Sequence, residues 1–142
     1  MSDNSMELSS GIAAFEGKNF VKALQLLSTL ADTGNADAQY RMAIMYQNGL
    51  GTAKNEEMAV LWMKKAADQG FALAQHGMGF MYFHGECVDK DEQQALHWFQ
   101  LASDQNLPGS LMMVGMMYEQ GIAVEQDAEQ AKVWYEKADQ VS

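Results

Sequence analysis

The chain has 142 residues, 48% of them hydrophobic, with one proline and 19 carboxylates against 9 basic side chains, a formal net charge of −10. That surplus disfavours nucleic acid, whose phosphates call for a basic patch, and an anionic membrane surface, which would repel it. A basic or apolar protein partner is the natural alternative, and a single cysteine, Cys87, excludes an intrachain disulfide and suits a reducing compartment.

A chain of this length forms one compact domain or a short array, burying roughly 70% of its unfolded surface without a metal or disulfide staple. Its start, MSDNSMELSSGIAAF, carries Asp3 and Glu7 and no basic residue before Lys18. It lacks the basic region and apolar core of a secretory signal. No apolar run approaches the roughly 20 residues that span a bilayer. A cytoplasmic location is therefore expected.

Residues 1–35 read as a helical hairpin marked by Gly11, Phe20, Ala23, Leu27 and Gly34, with a short connection around Gly17. Beyond it the chain repeats itself every 36 residues without insertion. Ala38, Met42, Met45, Tyr46, Gly49, Ala59, Trp62 and Ala66 fall on Ala74, Met78, Met81, Tyr82, Gly85, Ala95, Trp98 and Ala102. A further step reaches Met117, Tyr118, Gly121, Ala131, Trp134 and Ala138. A period of this size signals stacked supersecondary units. The repeats are 36–71, 72–107 and 108–142, and the first 35 residues form an N-terminal capping hairpin, since a terminal unit departs from the repeat pattern.

Each repeat reads as two helices. The first runs over 36–48, 72–84 and 108–120, ended by Gly49, Gly85 and Gly121 in the left-handed conformation. Pro108 suits an opening turn, where its missing N–H is not needed. The second helix starts at the N-caps Asn55, Asp91 and Asp127, with Gln94 and Gln130 placed three residues on as in a capping box. Its Ala/Trp/Ala stripe recurs at i, i+3 and i+7. No segment shows strand periodicity. Met42, Met45, Met78, Met81 and Met117 occupy repeat positions and belong to the core.

These residues resemble the Sel1-like repeat, a relative of the tetratricopeptide repeat, whose pattern is about A-x-A-x-x-x-L-G-x-x-Y-x-x-G-x-G-V-x-x-D-x-x-K-A-x-x-W-Y-x-K-A-A-x-x-G. Met42, Met78 and Val114 depart from it at the leucine. Cys87 and Ala123 depart from it at the second loop glycine, held by Gly51, and suggest local repacking. The resemblance implies an all-α superhelix (a solenoid of helical hairpins) whose first helices line a concave groove, in adaptors that bind other proteins. A cysteine-rich branch is associated with β-lactam hydrolysis, but its paired cysteines are missing here, so that activity does not carry over.

Within each first helix the repeat positions use one face. The side turned to the groove carries residues 37, 40, 44, 47 and 48 and their equivalents. These include Tyr40, Ile44 and Gln47, then Leu73, His76, Phe80, Phe83 and His84, then Met112, Met116 and Glu119. A wet groove would be polar, whereas Tyr40/Ile44, Phe80/Phe83 and Met112/Met116 make an apolar strip. Such strips mark interaction sites. Aromatic rings supply rigid contact area, and thioethers supply adaptable surface. The expected ligand is an amphipathic helix or extended apolar peptide with basic flanks. A second copy of the chain covering the same strip, in a homodimer, is the alternative; burial of the strip within the subunit is the bland one.

No enzyme constellation emerges. His76 and His84 lie eight residues apart, about 12 Å of helical rise, too far to share a metal, so no metal or cofactor is expected. Cys87 sits beside Glu86 and Asp89, which disfavour a thiolate. His97 falls on the outer side of its helix. Carboxylate pairs such as Glu56/Glu57 and Asp91/Glu92 occupy first turns, where they complement the helix dipole. The groove positions hold no lysine or arginine, which disfavours capture of a carboxylate tail.

Overall fold

The computed structural model describes residues 4–142, all of its regular structure being helix. It forms two compact units, residues 1–71 and 72–142. The first contains α1 (Asn4–Glu16), α2 (Phe20–Asp32), α3 (Ala36–Asn48) and α4 (Glu56–Asp68). The second contains α5 (Ala72–His84), α6 (Glu92–Ser103), α7 (Pro108–Gln120) and α8 (Ala128–Val141). Each unit is a pair of hairpins, the second hairpin packing through its first helix on the second helix of the hairpin before it.

The predicted starts and stops are where the sequence places them. Asn55, Asp91 and Asp127 each accept the backbone N–H three residues on with the side chain, satisfying a donor the first helical turn leaves orphaned. Gly49 and Gly121 close α3 and α7 in left-handed geometry and return their N–H to Met45 and Met117. The capping box is only half formed. Gln94 and Gln130 would need the N–H groups of Asp91 and Asp127, but these donate to the carbonyls of Tyr82 and Tyr118, as Asn55 does to Tyr46. Closing the hairpin takes the donor that the box requires.

The loops also correct an expectation. Cys87 and Ala123 bring no rearrangement: their φ angles of 66° and 64° reproduce the 71° of Gly51. Glycine is required at 51 for a different reason, because a Cβ there would lie 2.6 Å from the backbone of Phe20. Cys87 and Ala123 hold a conformation that costs an L-residue about 1–2 kcal/mol.

In the first unit the core is built from Ala23, Leu27, Leu30, Met42, Met45 and Trp62 with the alanines around them. A polar weld joins three helices at one corner. Buried Gln39 donates to Ala31 O at 3.1 Å and accepts from Gln69 Nε2 at 2.8 Å, and the same amide donates to Gly34 O. In the second unit Gln105 donates to Gln75 at 3.0 Å. At the equivalent places of the last hairpin stand Leu111 and Val141, and Ser103, buried beside them in the repeat, leaves its hydroxyl unpartnered.

The core of the second unit centres on Ala95, Leu96, Phe99, Val114 and Met117. Phe99 has no exposed surface and presses on Gly79, where an added Cβ would meet its ring at 2.6 Å. Tyr135 presses on Gly115 in the same way, at 2.7 Å. The first unit fills the equivalent pair with Ala43 and Met63, both buried. Ring and glycine change together, so the helix spacing is kept at native packing density. Met42, Met45, Met78, Met81 and Met117 are all at most 3% exposed, as their repeat positions require.

Candidate protein-binding face

The positions expected to form a binding face lie on α3, α5 and α7, the first helices of the three repeats. In the first unit this is α3. Arg41 donates to Asp37 Oδ1 at 2.8 Å and lies 5.0 Å from the centroid of Phe15, so its charge is held on both sides. Tyr40 is half-buried against Phe71, ring centroids 5.5 Å apart; burial raises the pKa of its phenol, with Arg41 lowering it and Asp37 raising it by smaller amounts. Ile44 and Gln47 are half-buried, and Asn48 donates to Ile44 O. This is a tightly furnished surface.

In the second unit α5 and α7 are tied together. His76 Nδ1 lies 2.7 Å from Ser110 Oγ, and its ring packs 5.1 Å from Phe99. Burial lowers the His76 pKa, favouring the neutral imidazole. Sequence reasoning placed His76 in the groove and missed this strut. The signal was there: Ser110 occupies the position of Ala38 and Ala74, and a hydroxyl with no exposed surface needs a partner.

Outward of that strut the surface is apolar. Leu73, Phe80 and Met112 are 44%, 40% and 49% exposed. His84 is exposed between two rings, 4.4 Å from Phe80 and 5.0 Å from Phe83. Phe83 and Met116 differ from these: both are half-buried and packed on the core cluster, so only part of each remains for a partner. Glu119 is exposed at the far end of α7 and accepts from the Tyr135 hydroxyl at 3.0 Å. Burial and that carboxylate both raise the Tyr135 pKa. His76, Phe80, Phe83, His84, Met112, Met116 and Glu119 thus share the α5/α7 side of one unit, while Tyr40, Ile44 and Gln47 belong to α3 of the other.

Charge is distributed unevenly between the units. Residues 72–142 carry eleven carboxylates against three lysines, whereas residues 1–71 carry eight against six basic residues, so the second unit holds −8 of the −10. Yet α5 and α7 themselves contain no lysine or arginine, and Glu119 is their one carboxylate. Among the described residues no group of three or more His, Cys, Asp or Glu side chains converges as a metal site would require. His97 is exposed on α6 beside Trp98, and Cys87 is half-buried in its loop. No helix of the described residues is long and apolar enough to cross a membrane.

Residues 36–71, 72–107 and 108–138 each match the Sel1 repeat family. The chain is a Sel1-repeat protein. Among solved structures this Sel1-repeat protein is similar to one from Oxalobacter formigenes, described as a Sel1 repeat protein, at 33% identity and a TM-score of 0.88 over 94% of the chain and 55% of its counterpart. It is also similar to a protective antigen of uropathogenic Escherichia coli displaying an SLR fold, at 28% identity and a TM-score of 0.89 over 96% of the chain and 30% of the antigen. The chain thus spans about half the length of the first relative and less than a third of the second. A Helicobacter pylori cysteine-rich protein shares the fold at 18% identity, with a TM-score of 0.68 over 87% of the chain and 89% of its own. No curated protein matches significantly. The fold class is the all-α solenoid, and repeats of this family generally serve as scaffolds for interaction with other proteins.

Proposed function

We propose that this Sel1-repeat protein is a non-enzymatic adaptor that binds an apolar peptide or helical segment of a partner protein on the leftover faces of its first helices. Tyr40, Ile44 and Gln47 would contribute in the first unit, and His76, Phe80, Phe83, His84, Met112, Met116 and Glu119 in the second. The observation that carries the reading is the exposure of Leu73, Phe80 and Met112 on two adjoining helices that bear hardly any charge. Scattered exposed apolar side chains are ordinary, but a contiguous set marks a contact surface. A single cysteine and the acidic surface suit a reducing, aqueous compartment, in keeping with a cytoplasmic adaptor.

Phe80→Ala is the test. It should abolish partner capture while changing stability by about 0.5 kcal/mol or less, as for a surface position. Trp98→Ala, by contrast, removes a side chain that is 8% exposed and should cost about 3–5 kcal/mol. Equal destabilisation by the two would make Phe80 a core residue and end the proposal. Light scattering over a concentration series separates the second reading, a homo-oligomeric scaffold with the same strip as its interface.

A further inference from the structure

Two features of the second unit lie side by side. One is the apolar face of α5 and α7, with Leu73, Phe80 and Met112 outermost. The other is the edge at which these helices end. The loops 85–91 and 121–127, with the helix turns flanking them, carry eight carboxylates against the one lysine, Lys90. That lysine lies 3.8 Å from Glu92, so it is already directed at one of them. The opposite ends of the same helices open with Ala72-Leu73 and Pro108-Gly109, and the connection and helix turn beside them hold two carboxylates, Asp104 and Asp139. The face is therefore graded in charge along its length, weakly negative at one end and strongly negative at the other.

An acidic edge alone recruits nothing in particular, and an uncharged apolar face alone would accept many segments. Their adjacency selects. A neutral or acidic amphipathic segment laid on Phe80 and Met112 would bring its polar face against a field of like or uncompensated charge. A segment with lysines or arginines at one end would meet complementary charge there, gaining encounter rate and orientation together. The first unit offers no equivalent, because its charges are nearly balanced and Arg41 is already paired on α3.

Resting on the adaptor reading above, we propose that the second unit by itself docks a cationic amphipathic segment of another protein, with its apolar side on Leu73, Phe80 and Met112 and its basic end against Asp89, Glu119 and Glu125. For such a segment the footprint is narrower than in the adaptor reading: it stays on α5 and α7 and leaves out Tyr40, Ile44 and Gln47 of α3. The partner's chemistry, rather than its fold, is what the surface reads.

Three fluorescent synthetic helices sharing one Leu/Phe face, with lysine, glutamine or glutamate on the polar face, probe this by anisotropy against the full chain. The lysine helix should bind at least about tenfold more tightly than the glutamine helix, and its affinity should fall about tenfold between 50 and 300 mM salt. The glutamate helix should not bind. Asp89→Lys/Glu125→Lys should erase the preference for lysine over glutamine, and Phe80→Ala should abolish both. Hydrogen exchange should slow in α5 and α7 on binding and stay unchanged in α3. Equal binding of the lysine and glutamine helices, both lost in Phe80→Ala, would overturn the charge selection while leaving the adaptor reading intact. Lysine-helix binding that survives Phe80→Ala, protection that spreads to α3, or no binding by any helix would each overturn the docking proposal.

Discussion

The helices α3 and α5 follow the same repeat position for position, with the same length, an equivalent buried alanine, glutamine and pair of methionines, and the same closing glycine. Their outer sides diverge. On α3 Tyr40 leans on Phe71, and Asp37 and Arg41 neutralise each other beside Phe15. On α5 the corresponding surface exposes Leu73 and Phe80, and the helix holds no lysine, arginine or carboxylate. The difference shows that the repeat specifies a chassis and leaves the outer positions free to vary, paired and covered on α3 and apolar and exposed on α5.

The comparison breaks most severely if the second unit's chassis is damaged. Phe99→Ala empties a side chain with no exposed area beneath the proposed docking face and should cost about 3–5 kcal/mol in chemical denaturation. Binding would fail with it, which distinguishes a collapsed face from an altered one. Gly79→Ala is gentler: the new methyl meets the same ring, and an overpacked core costs about 1–3 kcal/mol. Gly115→Ala should cost less, because Tyr135 is only half-buried and can withdraw. If the two substitutions prove equal, the rigidity assigned to the Phe99 contact is wrong.

A subtler difference between the units is the His76–Ser110 strut. The folded pKa of His76 lies below its unfolded value because burial opposes the charged form. The unfolded chain therefore takes up the proton first, and stability falls as pH drops below about 6.5, the unperturbed histidine value. Melting temperatures between pH 7.5 and 5.5 should show this decline, and His76→Gln should flatten it. An unchanged slope in the variant would assign the decline to other groups. The smallest expected effect has the opposite sign. Ser103→Ala restores the residue type of positions 31 and 67 and removes a buried hydroxyl without a partner, so it should stabilise by about 0.5–1 kcal/mol.

The period made the fold legible. Met42, Trp62 and their copies announce both helices, and Asn55, Asp91 and Asp127 announce where the second begins, because caps and core positions obey local rules. The candidate face was legible as a set of leftover positions, yet its depth was not. Phe80 and Phe83 look alike in sequence, and only packing tells that Phe83 lies against the Phe99 cluster while Phe80 stands outside it. His76 and Glu119 read as free polar groups because their partners, Ser110 and Tyr135, lie 34 and 16 residues away. The half-formed capping box failed for the same reason, a local motif giving way to a hairpin contact.

The glutamine welds described above stop one joint short. Gln39 with Gln69, and Gln75 with Gln105, are cross-braces; Leu111 and Val141 replace the brace with grease. Apolar contact resists separation but tolerates sliding, since it has no direction. The seam between α7 and α8 is thus the natural breathing point of the second unit, and α8 should be the first of its helices to exchange amide protons and the easiest to peel away under load.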